Sequence, residues 1–253
     1  MPERPGAVKR GRLAVRIERD MRDAGMGPMR ERVVSIAIKA AVVIALIPLV
    51  LVPIYAFVPP VSTVMLWRLL TGSPVARIWK PLSEISPNLV RAVIAAEDAR
   101  YCQHHGVDWI EMGHAIEEAD ELGEARGAST IPMQTAKNLF LWPGRQFVRK
   151  AFEIPLAYYM SFLWTKRRLI EVYLNIAQWG PNGEFGAEAG ARRAFRKGAQ
   201  ALVPEEAALL AAVLPNPAHR DAARPSPGLM RLAARYRAQA EVAGSPITAC
   251  LAQ

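Results

Sequence analysis

Cysteine is almost missing from this chain: Cys102 and Cys250 are the only two in 253 residues. Two cysteines make no disulfide framework. An extracytoplasmic location would permit a bridge, but Cys102 sits inside a polar motif described below. A tether from there to the C-terminus is not expected. Histidine is scarce as well, with four residues, and no spacing such as His-Glu-x-x-His appears. His104, His105, His114 and Cys102 therefore do not read as a metal site. No internal repeat is visible. No segment alternates apolar and polar residues with period two, which argues for a mainly α chain with at most a small hairpin.

Charge is absent between Lys39 and Arg68. Within that gap, residues 40–60 form an apolar run long enough to cross a bilayer as a helix. Pro48 and Pro53 would kink it, which membrane helices tolerate. Tyr55 and Trp67 suit the far interface. The net charge of +9 is largely a property of the tail. Residues 1–39 hold ten Lys/Arg against five Asp/Glu, and the remainder holds 22 against 18. A basic tail can bind nucleic acid, but this one leads straight into the apolar run, and a membrane explains both features. No nucleic-acid partner is expected. A cleaved signal peptide would have a shorter apolar region and a smaller basic one. The positive-inside rule puts residues 1–39 in the cytoplasm and residues 61–253 outside.

With 51% hydrophobic residues, the rest of the chain can build one substantial core. Residues 61–80 link membrane and domain and carry Leu66, Trp67, Leu69 and Leu70, suited to a membrane surface or to the core. Beyond them the pattern predicts helices. Ser86 caps and Pro87 opens the first, to about Tyr101. The next are 109–122, ending near Gly123, then from Thr130 or Pro132 to 140, and 147–160 with an interruption at Pro155. Thr165 caps one to about Asn175. The last three are 186–195, 205–214 and 228–243.

Four polar clusters carry chemistry. The first, Glu97-Asp98-Ala99-Arg100-Tyr101-Cys102-Gln103-His104-His105-Gly106, follows an apolar helical run. On a continuous helix Glu97, Tyr101 and His104 would line one wall. A carboxylate set among apolar groups has its pKa raised, which suits a general base. The second, residues 126–138, is a Gly/Ala/Ser/Thr loop entering a helix, where free N–H groups attract anions. Gln134, Lys137 and Asn138 share a flank of that helix. The third is Arg149-Lys150-Ala151-Phe152-Glu153, an i, i+4 ion pair with apolar flanks that suggest a cleft wall. The fourth runs from Lys166-Arg167-Arg168 to Glu171-Val172-Tyr173-Leu174-Asn175, where Glu171 and Asn175 also suit structural hydrogen bonds. The acidic run 117–121 reads as a solvated face.

Together the clusters resemble the peptidoglycan glycosyltransferases of family 51, and most closely their monofunctional, membrane-anchored form. The first is similar to Glu-Asp-x-x-Phe-x-x-His-x-Gly, with Tyr101 for Phe. The second resembles Gly-x-Ser-Thr-Ile-x-Gln-Gln-x-x-Lys-Asn, the third Arg-Lys-x-x-Glu, and the fourth a Lys-led helix ending Glu-x-Tyr-Leu-Asn. The resemblance runs from about residue 60 to 217. It departs at Pro132 and Met133, where the family usually has polar residues. Met lacks the hydrogen bonds of an amide, so only Gln134 inherits a role, and Pro132 reads as the first helical residue. No Ser-x-x-Lys and Lys-Thr-Gly pair of a penicillin-binding domain follows.

The resemblance implies a lysozyme-like, two-lobed helical domain and a specific organisation. Residues 1–39 would be a cytoplasmic tail, 40–60 a transmembrane helix, 61–217 the glycosyltransferase domain and 218–253 a C-terminal helical extension. It implies polymerisation of lipid II, at the inner membrane, from a polyprenyl-diphosphate-linked glycan. Glu97 would be the general base and Glu153 the second catalytic carboxylate. Lys137, Arg149 and Lys150 would hold the diphosphate. Asp98, Tyr101, His104, Ser129, Thr130, Gln134 and Asn138 would help bind substrate. A divalent cation, Mg or Mn, would assist at the diphosphate without a dedicated Asp-x-Asp site. Cell-wall synthesis or division proteins are the expected protein partners. The alternatives are a lysozyme-like peptidoglycan-cleaving enzyme, for which the cations have no diphosphate to hold, and a non-catalytic cell-wall scaffold, for which both glutamates would be idle.

Overall fold

The computed structural model describes residues 26–117, 129–142 and 146–252. The protein is mainly α. Its helices are α1 (Met26–Tyr55), α2 (Thr63–Leu70), α3 (Pro87–Glu97), α4 (Trp109–Glu117), α5 (Ile131–Phe140), α6 (Gln146–Leu163), α7 (Lys166–Ile176), α8 (Ala187–Phe195), α9 (Pro204–Ala211) and α10 (Pro227–Ala243). Tight 3-10 turns lie at Leu82–Glu84, Tyr101–Gln103, Ala199–Ala201 and Ser245–Leu251. The small hairpin allowed by the sequence is an antiparallel bridge between Gln178 and Phe185, and β1 (Ala76–Arg77) and β2 (Glu184–Phe185) also pair in parallel, with Ala76 opposite Glu184. A parallel pair joins distant segments, so no local pattern announces it.

The described residues fall into two compact units, one ending at Leu51 and one beginning at Val52. In the first, α1 is long and apolar enough to cross a membrane from Met29 to Tyr55. It starts earlier than residue 40 and ends at Tyr55, where the chain turns. Its side chains up to Leu51 are mostly exposed. Such a surface is stable in a bilayer and costly in water.

In the second unit, α3 packs against α9, α10 and the Ser245–Leu251 turn, while α5 lies on α6 and α7. Leu89, Ile94, Leu169, Ile170, Leu174, Trp179, Phe185 and Leu210 fill the main core. Val107, Met112, Met133 and Ala157 form a second, smaller cluster. Ser86 caps α3 through Asn88 N, with Pro87 at its first position. The helix stops at Glu97, short of the expected Tyr101, because Asp98 takes an extended φ of −163°. Glu97, Tyr101 and His104 therefore do not share a helical wall. α6 continues through Pro155, where an interruption was expected. Pro155 and Ala151 both lie on its exposed face, where one lost helix hydrogen bond is tolerated. α4 is described to Glu117, and its expected end near Gly123 lies outside the described residues, as do the acidic residues 118–121.

Cys102 and Cys250 are disulfide-bonded, with Cα atoms 5.5 Å apart, against the expectation that they would not meet. The physical reason is tertiary. Ile247 and Leu251 bury their side chains in the main core, Arg167 Nη1 donates to Leu251 O, and the C-terminal turn is thereby laid beside the Tyr101–Gln103 turn.

Candidate active site

The first two motifs are joined by Asp98. One carboxylate oxygen meets His104 Nε2 at 2.8 Å, and the other accepts from Ile131 N, the first residue of α5, at 2.9 Å. A carboxylate at a helix N-terminus is favoured by the free N–H groups there. Thr130 caps the same helix through Met133 N and donates its hydroxyl to Gly106 O. Gly106 has φ +107°, and a Cβ on it would lie 2.8 Å from Ala157 O. Only glycine lets this loop approach α6 so closely. Beneath the loop, Lys166 Nζ donates to the carbonyls of Tyr101 and His104, at 2.5 and 2.6 Å. Burial pulls its pKa down to about 8, with Asp98 pulling the other way.

This frame aims Glu97 at α5. Gln134 Nε2 donates to Glu97 Oε2 at 2.8 Å. Burial raises the pKa of Glu97, opposed by the Gln134 hydrogen bond, Lys137 and Arg220. A carboxyl so placed holds a proton more readily than a free one, as a base working near neutrality must. Burial lowers the pKa of Lys137, one turn further along α5. Glu153 is the first group to oppose that lowering, and Glu97 also does so. Glu153 is 3% exposed and paired with Arg149 at 2.6 Å. Lys137 thus lies in the field of both carboxylates. Hollows of about 180 and 200 Å³ flank the Glu97–Gln134 pair. The first is lined by Glu97, Arg100, Glu111 and Ser129, the second by Gln134, Lys137, Asn138 and Tyr173.

The predicted residues therefore divide. Glu97, Gln134, Lys137, Asn138 and Ser129 face the hollows. Glu153 and Arg149 form their pair on α6 beside them, and Lys150 follows on the same helix, half-buried. Asp98, Tyr101, His104 and Thr130 are buried, although Asp98 and Thr130 also form part of the wall of the first hollow. The carboxylate of Asp98, the Thr130 hydroxyl and the Tyr101 hydroxyl, which donates to Lys166 O, are spent inside the protein. The geometry makes these four the frame of the site. Arg126, Gly127 and Ala128 of the second motif lie outside the described residues. Met133 is fully buried in the small core, so this departure from the family pattern changes packing and leaves the hollows alone. Glu171 and Asn175 are structural: Glu171 accepts from Leu82 N, and Asn175 brackets Lys80 through its N–H and C=O.

Three contributors were given no site role from sequence, although Lys166 and Tyr173 stand in the fourth cluster. Lys166 and Tyr173 are seven residues apart on α7, a spacing that shares a face and offered a signal. Arg220, whose charge acts on Glu97, follows Pro215-Asn216-Pro217 and offered none.

Two carboxylates with a half-buried lysine in the field of both are groups that suit acid–base group transfer. The chain matches the transglycosylase family over residues 65–241. It is 51% identical over 216 residues to the biosynthetic peptidoglycan transglycosylase of Rhodopseudomonas palustris (strain TIE-1), covering 85% of this chain and 92% of that one. The protein of the same name from Nitrobacter winogradskyi is 48% identical over 212 residues, 84% of this chain and 94% of the other. That from Agrobacterium fabrum is 49% identical over 201 residues, 79% and 88%. This chain belongs to the transglycosylase family. The matched span includes most of α10, beyond the last motif.

Proposed function

We propose that the protein polymerises lipid II into β-1,4-linked glycan by inverting transfer from a polyprenyl-diphosphate-linked strand. The observation that carries this reading is the grouping of Glu97, held by Gln134 at 2.8 Å, with Lys137 on the wall of the adjoining hollow and the Arg149–Glu153 pair on α6. The acceptor's sugar 4-hydroxyl gives its proton to Glu97 as its oxygen bonds to the donor's anomeric carbon. The bond from that carbon to the diphosphate breaks, and its electron pair leaves with the diphosphate. Lys137, Arg149 and Lys150 stabilise the charge that develops there, which favours the transition state over the ground state. Glu153 orients Arg149 through their ion pair. Base and leaving group act from opposite sides of the sugar, as inversion requires.

A resident metal does not fit these residues. Among the described residues no three His, Cys, Asp or Glu side chains converge, and Glu153 is committed to Arg149. A divalent cation would enter with the diphosphate, and no step here depends on it.

Anchoring by α1 suits a lipid-linked substrate. The domain itself carries an apolar belt. Leu66, Trp67, Leu69 and Leu70 are exposed on α2, and Phe162 on α6 is 86% exposed. Thr63 of α2 binds the carbonyls of Asn138 and Leu141, and the adjacent Trp142 packs edge-on to Phe152 of α6. Exposed apolar side chains of this kind suit a membrane contact. The reading places the N-terminus in the cytoplasm and the domain in the periplasm, anchored to the inner membrane. The positive tail and the disulfide, which persists in oxidising compartments, support it.

The test is polymerisation of fluorescent lipid II by the detergent-solubilised protein, read as a glycan ladder, beside Glu97→Gln. Loss of a general base costs about 10²–10⁴-fold. A ladder from the variant as strong as from wild type would remove Glu97 from its role. No ladder from either would refute the polymerase.

A further inference from the structure

Beneath the Glu97–Gln134 pair lies the hydroxyl of Tyr173, which donates to Gln134 Oε1 at 3.0 Å. The other end of the same amide, Nε2, donates to Glu97 Oε2 at 2.8 Å. Tyr173 is 1% exposed, and its ring belongs to the main core. An amide has one accepting and one donating end, and an ionised carboxylate only accepts. Ionised Glu97 sets the direction of the amide, and the Tyr173 hydroxyl, able to donate or accept, donates to the oxygen at the other end and holds it there. Reversed, the amide would set its oxygen against the carboxylate and leave two acceptors facing each other. The carbonyl of Ser129 accepts from Nε2 at 3.4 Å, a longer contact that favours the same orientation.

We propose that Tyr173 is a positioning residue of the transfer reaction, holding the Gln134 amide so that an N–H stays aimed at Glu97. This rests on the reading of Glu97 as base. A phenylalanine would fill the core equally well, so the hydroxyl alone carries the inference. The groups facing Glu97 are Asp98 beside it, Gln134 and Lys137 from α5, Tyr173 from α7, Arg220 after α9 and Tyr236 from α10. Of these, Tyr173 is the one hydrogen-bonded to the amide's oxygen.

Glu97 is active ionised, so activity falls as pH drops through its pKa. Without the hydroxyl the amide turns more freely, the carboxylate loses part of its donor, and that acidic limb moves to higher pH. The experiment measures kcat/KM against pH on lipid II for the full-length wild type, Tyr173→Phe, Gln134→Met and the double variant. Tyr173→Phe should shift the limb up by about half a pH unit to one, and lower the rate about three- to tenfold. Gln134→Met should shift it at least as far, and the double variant no further than Gln134→Met. Because the ring is kept, Tyr173→Phe should melt within a few degrees of wild type. A limb unmoved in Tyr173→Phe would overturn the proposal, as would an equal added shift in the Gln134→Met background. Wild type making glycan with those outcomes sinks this inference alone. Wild type making none sinks the functional reading and the inference with it.

Discussion

Reducing the Cys102–Cys250 bond should destabilise the domain much more than it slows the enzyme. The bond spans a sequence separation of 148 residues. Chain entropy assigns a loop of that size about 5 kcal/mol at 25 °C, above the usual range of about 2–4 because the loop is long. The realised value should be smaller. Ile247 and Leu251 bury their side chains whether or not the bond is present, so the C-terminal turn has its own affinity for its place. A loss of about 2–4 kcal/mol corresponds to roughly 4–16 °C in melting temperature for a domain of this size. Activity at 25 °C should stay within about threefold. The loop after Glu97 keeps its ties through Asp98 and Lys166, each worth about 1 kcal/mol or more. Calorimetry in detergent with and without reductant, repeated on Cys102→Ser/Cys250→Ser, gives the stability. Thiol titration of the unfolded, unreduced chain gives the bond itself. Two titratable thiols in protein isolated without reductant, or a melting point unmoved by proven reduction, would refute the reasoning.

Lys137→Met should lower the rate at limiting diphosphate-linked donor about 10²-fold or more, without loss of stability, since burial already disfavours its charge. An unchanged rate would remove Lys137 from the leaving-group side. Stability should also depend on pH through Lys166, whose folded pKa lies near 8 against 10.5 for a free lysine. Between those values the unfolded chain holds a proton that the folded chain has released, so stability rises with pH across the window. Denaturant midpoints should climb from pH 8 to 10 in wild type and climb less in Lys166→Met, where Lys137 contributes the remaining slope. Equal slopes would place the cost of burial elsewhere.

Much of this protein was legible in its residues because the signals are local. Ser86-Pro87, Thr130 and Thr165 announce helix starts, since a cap is satisfied within its own turn. The uncharged run before Arg68 announces a membrane helix, because a bilayer tests only length and polarity. The motif spacing pointed to Glu97, Gln134, Lys137 and Glu153, and the fold sets the first three on the walls of the hollows. The early end of α3 has a distant cause. Asp98 leaves the helical path to cap α5, which ends α3 before Tyr101.

What the sequence determined alone is therefore the helical class, the anchor, the family and the chemistry-bearing residue types, each encoded in a short window. Tertiary structure decided which of those residues reach the hollows and which are consumed as frame. It turned Asp98, Tyr101, His104 and Thr130 inward, buried Met133 among Val107, Met112 and Ala157, and set Tyr173 under Gln134. It also brought Cys250 across the domain to Cys102. Burial and hydrogen-bond pairing between remote segments are properties of the packed chain, and no periodicity or spacing records them.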